Sequence, residues 1–113
     1  MREDGKIDYV ELPGTDVAAT KAFYTAAFGW AFTDYGPAYA AYSEGLDGGF
    51  DADAANQPKQ PLVVLYAHDL EAMEARVRAA GATILKPIYS FPGGRRFHFR
   101  DPSGNELAVW SEG

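Results

Sequence analysis

The chain contains no cysteine, which excludes disulfides and thiolate-bound metals and gives no sign of secretion. It has no run of 18 apolar residues, so no segment reads as a membrane span. The N-terminal MREDGKID has no apolar core and does not read as a signal peptide. Positive charge is scarce: ten Lys and Arg against sixteen Asp and Glu leave a net charge of −6. A nucleic-acid face needs clustered cations. The only basic cluster is Arg95, Arg96 and Arg100, which reads as ordinary strand and turn charge. No G-x-S-x-G elbow is present, so a serine nucleophile has no support. Gly48–Gly49 and Gly93–Gly94 lack the strand-to-helix setting of a phosphate loop. The expectation is a cytoplasmic protein without nucleic-acid or membrane partners.

What the chain does have is one pattern written twice. IDYVELPGTDVAATKAFYTAAFG begins at Ile7, and QPLVVLYAHDLEAMEARVRAAG begins at Gln60. Each is an apolar run, an Asp, about a dozen residues at helical spacing and a Gly. Superimposing Asp16 on Asp69 shifts the numbering by 69 − 16 = 53. A solenoid or propeller needs three or more units, so two copies point to one pseudo-symmetric domain. The length of 113 residues and apolar fraction of 47% suit a single domain with a full core.

The pass along the chain predicts a strand over Ile7–Leu12, ended by Pro13 and Gly14. Alternation puts Ile7, Tyr9 and Glu11 on one face. Asp16 reads as the N-cap of a helix over Val17–Phe28, with Ala19, Ala22, Phe23, Ala26 and Ala27 as its apolar stripe. Gly29 suits the left-handed position after the helix. Strands follow at Trp30–Asp34, Tyr39–Ser43 and from Phe50, and residues 51–60 read as a linker. The second copy has a strand over Leu62–Tyr66 and a helix over Leu70–Ala80, capped by Asp69, with Leu70, Met73, Val77 and Ala80 inward. Strands at Thr83–Lys86 and Arg95–Arg100 are separated by a Pro/Gly-containing loop. DPSGN at 101–105 is a tight turn, and Glu106–Trp110 is the last strand. The reading is α+β, βαβββ twice, in a single domain over 1–113 with modules at about 5–50 and 60–112.

YVELPGTDVAATKAFYTAAFGW and FRDPSGNELAVW together resemble the vicinal oxygen chelate superfamily of glyoxalases, bleomycin-resistance proteins and extradiol dioxygenases. The likeness covers nearly the whole chain. It implies paired βαβββ modules whose mixed sheet forms a cup with helices on its outer face, a small-molecule ligand in the cup, and a homodimer. It does not specify the chemistry, because such folds host lyases, epimerases, dioxygenases and pure binders.

The resemblance also implies one divalent metal held by His, Glu or Gln on the first and last strands of each module. Those positions fall on Tyr9, Leu62, Ala108 and the stretch Gly48 to Phe50, because Glu106 comes two residues early. None is a clear ligand, so the expected cofactor is none. The alternative is one divalent ion at a displaced site. If Arg100 pairs across the turn with Glu106, His98 stands opposite Ala108, and Glu11, His98 and Glu106 share a face. The competing account is an Arg100–Glu106 ion pair with His98 neutral.

Other residues carry similar alternatives. A carboxylate at Glu11 on a half-buried strand needs a partner or a role: general base, ligand anchor, or ion pair with Arg96 or Arg100. His68 reads as a loop residue. Tyr9, Tyr66 and Trp110 face the cup by alternation, with Tyr39 or Tyr42 beside them, while Phe23, Phe28, Phe97 and Phe99 fill the helix side. Aromatic walls with polar tips suit a small organic ligand. The expectation is therefore a binder of an aromatic or amphipathic molecule through Tyr9, Glu11, Tyr66, His98 and Trp110, as in the bleomycin-resistance branch. The alternative is a metal-dependent lyase, isomerase or dioxygenase.

Overall fold

The computed structural model describes residues 2–112. The elements run β1 (Ile7–Pro13), α1 (Val17–Phe28), β2 (Thr33–Asp34), β3 (Tyr39–Glu44), β4 (Leu46–Asp51), β5 (Leu62–Tyr66), α2 (Leu70–Ala79), β6 (Thr83–Phe91), β7 (Gly94–Arg100) and β8 (Glu106–Ser111). This is the expected α+β order, βαβββ twice. The duplication holds at the residue level. The helices start at Val17 and Leu70, 70 − 17 = 53 positions apart. Asp16 and Asp69 cap them by accepting from Ala19 N and Ala72 N, each at 3.0 Å.

The chain folds as two compact units. One is Tyr9–Leu62; the other joins the N-terminal residues up to Asp8 to the chain from Val63 onward. The N-terminal residues thus sit with the second copy, where Gly5 N donates to Tyr66 O at 2.8 Å and Tyr66 N to Lys6 O at 3.2 Å.

In the first unit the strands lie in the order β2-β3-β4-β1, with β1 and β4 parallel. Register pairs Val10 and Tyr42 with Gly48, and Glu11 with Gly49. Alternation then puts Val10, Leu12, Tyr42, Gly48 and Phe50 on the helix side, where Phe50 meets the ring of Tyr24 at 5.3 Å. Tyr9, Glu11, Tyr39 and Gly49 face the other way. The two glycines are sites of close approach: a Cβ at Gly48 would run into the Val10 carbonyl and the Tyr42 ring, and one at Gly49 into the Tyr39 ring.

Helix α1 corrects the expected stripe. Its half-buried positions are Val17, Thr20, Lys21 and Tyr24, while Ala19, Ala22, Phe23, Ala26 and Ala27 are exposed. Phe23 is 58% and Phe28 65% exposed, so neither fills the helix side of the sheet. The helix is rotated because Tyr24, not Phe23, finds stacking partners, with Trp30 at 4.7 Å and Phe50 beyond it. Alanine stripes on either side carry little area to resist that turn. Gly29 closes the helix in the left-handed region at φ 74°.

The second unit repeats the topology as β5-β8-β7-β6, with β5 and β8 parallel. Here the core is conventional. Leu70 of α2 packs with Ala67, Phe97, Phe99 and Val109, and Met73 and Val77 join from the same helix face. Ala80, expected inward, is instead the exposed C-cap. Burying Phe97, Leu70 and Val109 completely contributes about 1.5–3 kcal/mol each. Strand β6 runs to Phe91, well past the expected Lys86. Pro87 suggested a loop, but β6 is an edge strand, where a missing N–H is tolerated. The ladder breaks register between Lys86 and Tyr89, as a bulge at the proline would do.

Asp69 closes the start of α2 by accepting from Ala72 N. Asp69→Ala is expected to lower unfolding free energy by about 1 kcal/mol, read as a shifted urea midpoint at unchanged slope. An unchanged midpoint would mean that the cap contributes nothing here.

Candidate functional site

On the sheet faces opposite the helices, each unit holds a hydrogen-bonded polar cluster. In the first unit the centre is Tyr39. Its hydroxyl donates to Glu11 Oε2 at 3.2 Å and pairs closely with the Tyr9 hydroxyl. Because the Tyr39 proton goes to Glu11, the Tyr9 hydroxyl is the donor in the second contact. Glu11 is only 4% exposed. Burial, the Glu11 charge and the Tyr9 bond all push the Tyr39 phenol far above its ordinary range, so it stays protonated. Of the two tyrosines expected beside Tyr9, Tyr39 is on this face. Tyr42 is not: it lies on the helix side and donates to Val10 O at 3.0 Å. A groove of about 530 Å³ opens beside Tyr9, bordered by Phe32, Tyr42, Glu44 and Asp47. A larger one of about 880 Å³ lies between α1 and residues 54–59 and touches none of the expected site residues.

In the second unit the centre is His98, 3% exposed on β7. The predicted register is present: Arg100 opposes Glu106 and His98 opposes Ala108. Yet the Glu106 carboxylate turns to His98 Nδ1, at 2.8 Å, a diagonal that a long side chain spans easily. The other ring nitrogen, Nε2, is 2.7 Å from the Tyr89 hydroxyl, and Arg96 Nε donates to that same oxygen. One assignment satisfies these three contacts. Arg96 donates to Tyr89, the Tyr89 O–H donates to Nε2, and Nδ1–H donates to Glu106, with a neutral imidazole. Tyr89 and Arg96 were not among the expected site residues. The usable signal was the Ile88–Phe91 run of β-formers, masked by the prolines around it.

Burial pushes the His98 pKa below its ordinary 6.5; the Glu106 bond opposes this, while Arg96 and Lys86 add to it. The unfolded chain therefore binds the proton more tightly than the folded one just below that value. Stability is full above pH 6.5 and is lost as pH falls through the depressed folded value. His98→Gln should flatten that acid limb in urea melts taken from pH 7.5 to 5. An unaltered limb would assign the loss to other groups.

Two further expected residues are tied into the second unit. Trp110 Nε1 donates to Asp8 Oδ2 at 2.9 Å, and the Arg2 guanidinium lies 5.1 Å from its ring centre. Tyr66 is 2% exposed and its hydroxyl donates to Glu112 Oε1 at 2.5 Å. His68 is an exposed loop residue, 2.7 Å from Asp4. Tyr9 and Glu11 belong to one unit, and Tyr66, His98, Glu106 and Trp110 to the other.

The positions where the resemblance implies metal ligands do not supply donors. Leu62 and Ala108 are buried hydrocarbons, Tyr9 is engaged with Tyr39, and Gly48 lies beneath the Tyr42 ring. Among the described residues no group of three or more His, Asp and Glu is placed to hold an ion. Both His98 nitrogens already have partners. The residues present do not fit the family's metal.

A doubled βαβββ chain with polar–aromatic clusters opposite its helices defines the class as a paired-module α+β protein. More specifically, the chain belongs to the Glyoxalase/Bleomycin resistance protein/Dioxygenase superfamily, whose family model matches residues 6–109. It is 33% identical over 129 residues to the anthracycline biosynthesis protein DauV of Streptomyces sp. (strain C5), covering 93% of this chain and 46% of that protein. It is 28% identical over 122 residues to the putative glyoxylase CFP32 of Mycobacterium tuberculosis (strain CDC 1551 / Oshkosh), covering 94% and 45%. The chain thus spans about half the length of these relatives. A superfamily member from Vibrio splendidus 12B01 has the same fold, with a TM-score of 0.73 at 16% identity over 94% of this chain and 97% of that one. No helix among the described residues is long and apolar enough to cross a membrane.

Proposed function

We propose that this chain binds a small, aromatic or amphipathic organic molecule without using the family's metal site. The observation that carries this is the chemistry on the faces opposite the helices. On those faces the first unit presents the Tyr9 and Tyr39 phenols beside the buried Glu11, and the second presents the Tyr89 phenol held by His98 and the Trp110 indole held by Asp8. Rings of this kind stack on planar ligands while their tips orient polar substituents. Similarity to proteins of anthracycline biosynthesis supports a planar polycyclic ligand bearing hydroxyl and carbonyl groups. A cytoplasmic homodimer is part of the same proposal, and light scattering at micromolar concentration tests the dimer.

The probe is 1,4-dihydroxyanthraquinone, added to protein whose metal content has been measured after dialysis against Ni, Zn, Mn and Fe. The chain has two tryptophans, and Trp110 is the one on the face in question. Saturable quenching should persist in Trp30→Phe, disappear in Trp110→Phe and be indifferent to chelator. Tyr9→Ala should weaken binding about tenfold, ~1.4 kcal/mol. About one metal per chain, with binding abolished by chelator, would overturn the proposal. It would favour a metal-dependent enzyme with a displaced metal site.

A further inference from the structure

We propose that Glu106, His98, Tyr89 and Arg96 form a proton relay that makes Tyr89 the acid–base group of this face, acting on a phenol or an enolisable carbonyl compound. For the source of the proton this rests on the ligand class proposed above; the relay itself rests on geometry alone.

Four side chains from three adjacent strands meet in one hydrogen-bonded line. Glu106 of β8 accepts from His98 Nδ1 at 2.8 Å, and His98 of β7 faces Tyr89 of β6 through Nε2 at 2.7 Å. Arg96 of β7 donates to the phenol oxygen and lies 5.6 Å from that ring. A sheet histidine satisfied only for packing needs one partner per nitrogen and no particular order. Here the order has direction. A carboxylate holds the imidazole in the tautomer whose Nε2 is the base, and that base points at a hydroxyl proton. The guanidinium sits where phenolate charge would develop. His98 is buried while Tyr89 is half-buried, so the phenol is the member of the line that reaches toward a ligand. The bulge after Lys86 is what re-aims β6 to bring Tyr89 over His98.

The step balances without any other reagent. The Tyr89 O–H bond breaks toward Nε2 as the ligand's acidic C–H or O–H delivers its proton to the phenol oxygen. The products are a ligand anion, an intact phenol and an imidazolium paired with Glu106. Return of the proton to another atom of the ligand gives a tautomer, and restores the imidazole. Tyr89 is the catalytic residue; His98, Glu106 and Arg96 position and activate it. The charged and titratable neighbours of His98 on its own and flanking strands are Arg96, Arg100, Lys86, Tyr89 and Glu106.

Benzenesulfonyl fluoride tests this without a ligand, because an activated phenol forms an O–S bond, expels fluoride and passes its proton to the neighbouring base. Peptide mapping of the full chain should show Tyr89 labelled ahead of the six other tyrosines. His98→Gln keeps an acceptor for the Tyr89 proton but no base, and should slow labelling about 10²-fold, the usual size of general-base assistance. Glu106→Gln, at an exposed position, should slow it less, and Tyr89→Phe should remove the labelled site. Nitrogen NMR should show His98 protonated at Nδ1 and bare at Nε2. Tyr89 labelled no faster than the rest, equal rates in His98→Gln, or the opposite tautomer would each overturn the relay. Failure of anthraquinone binding with labelling intact would instead count against the ligand reading alone.

Discussion

Phe97→Ala is expected to lower the unfolding free energy by about 3–5 kcal/mol, the largest effect of any single substitution discussed for this chain. The ring is completely buried and packs with Leu70, Phe99 and Val109. It joins β7 to α2, so its removal leaves a void bounded by two elements that cannot close on it. The transition midpoint should fall by about 10 °C or more. Phe99→Ala, at 9% exposure, should cost less. The control is Phe23→Ala on α1, where the ring is 58% exposed and the change should stay within about 0.5 kcal/mol. Equal effects at Phe23 and Phe97 would contradict the burial pattern and restore the expected alanine–phenylalanine stripe.

Gly48→Ala is expected to cost about 1–3 kcal/mol, although it adds a single methyl group to a strand. The added Cβ would overlap the Val10 carbonyl and the Tyr42 ring. The carbonyl belongs to the neighbouring backbone and cannot swing aside. Tyr42 is held by its bond to Val10 O and by rings at Trp30 and Phe50. A double-mutant cycle with Tyr42→Ala separates the two clashes. Truncating the ring should relieve part of the penalty, leaving a coupling of about 0.5–3 kcal/mol. Complete relief would place the whole clash on the ring, and no relief would place it on the carbonyl. The test is a pair of urea titrations, and it also probes whether Tyr42 stays on the helix side.

The two clusters explain why residue type alone was a partial guide to the site. Alternation along β1 correctly put Tyr9 and Glu11 together, and alternation along β7 put His98 opposite Phe97 and Phe99. Neither identified the partner. Tyr39 and Tyr42 are three apart in one strand, so they take opposite faces, and only the pairing with β4 decides which face is which. Glu106 had an obvious cation directly across at Arg100 and instead reaches diagonally to His98. Tyr89 lay in a segment whose prolines read as loop, because the edge position of β6 that makes Pro87 harmless is a property of the whole sheet.

The sequence by itself determined the features that act within a few residues. The aspartates at 16 and 69 cap their helices, Gly29 takes the left-handed turn, and the DPSGN turn closes through Asp101 accepting from Ser103 N and Asn105 N at 2.9 Å. Strand alternation set the two faces of each unit. Tertiary structure decided which face of α1 is covered, how far β6 extends, and which partner each buried polar group takes. Those choices compare interactions between segments far apart in the chain, whose energies depend on register and on the shape of the neighbour. Nothing within a window of a few residues encodes that comparison.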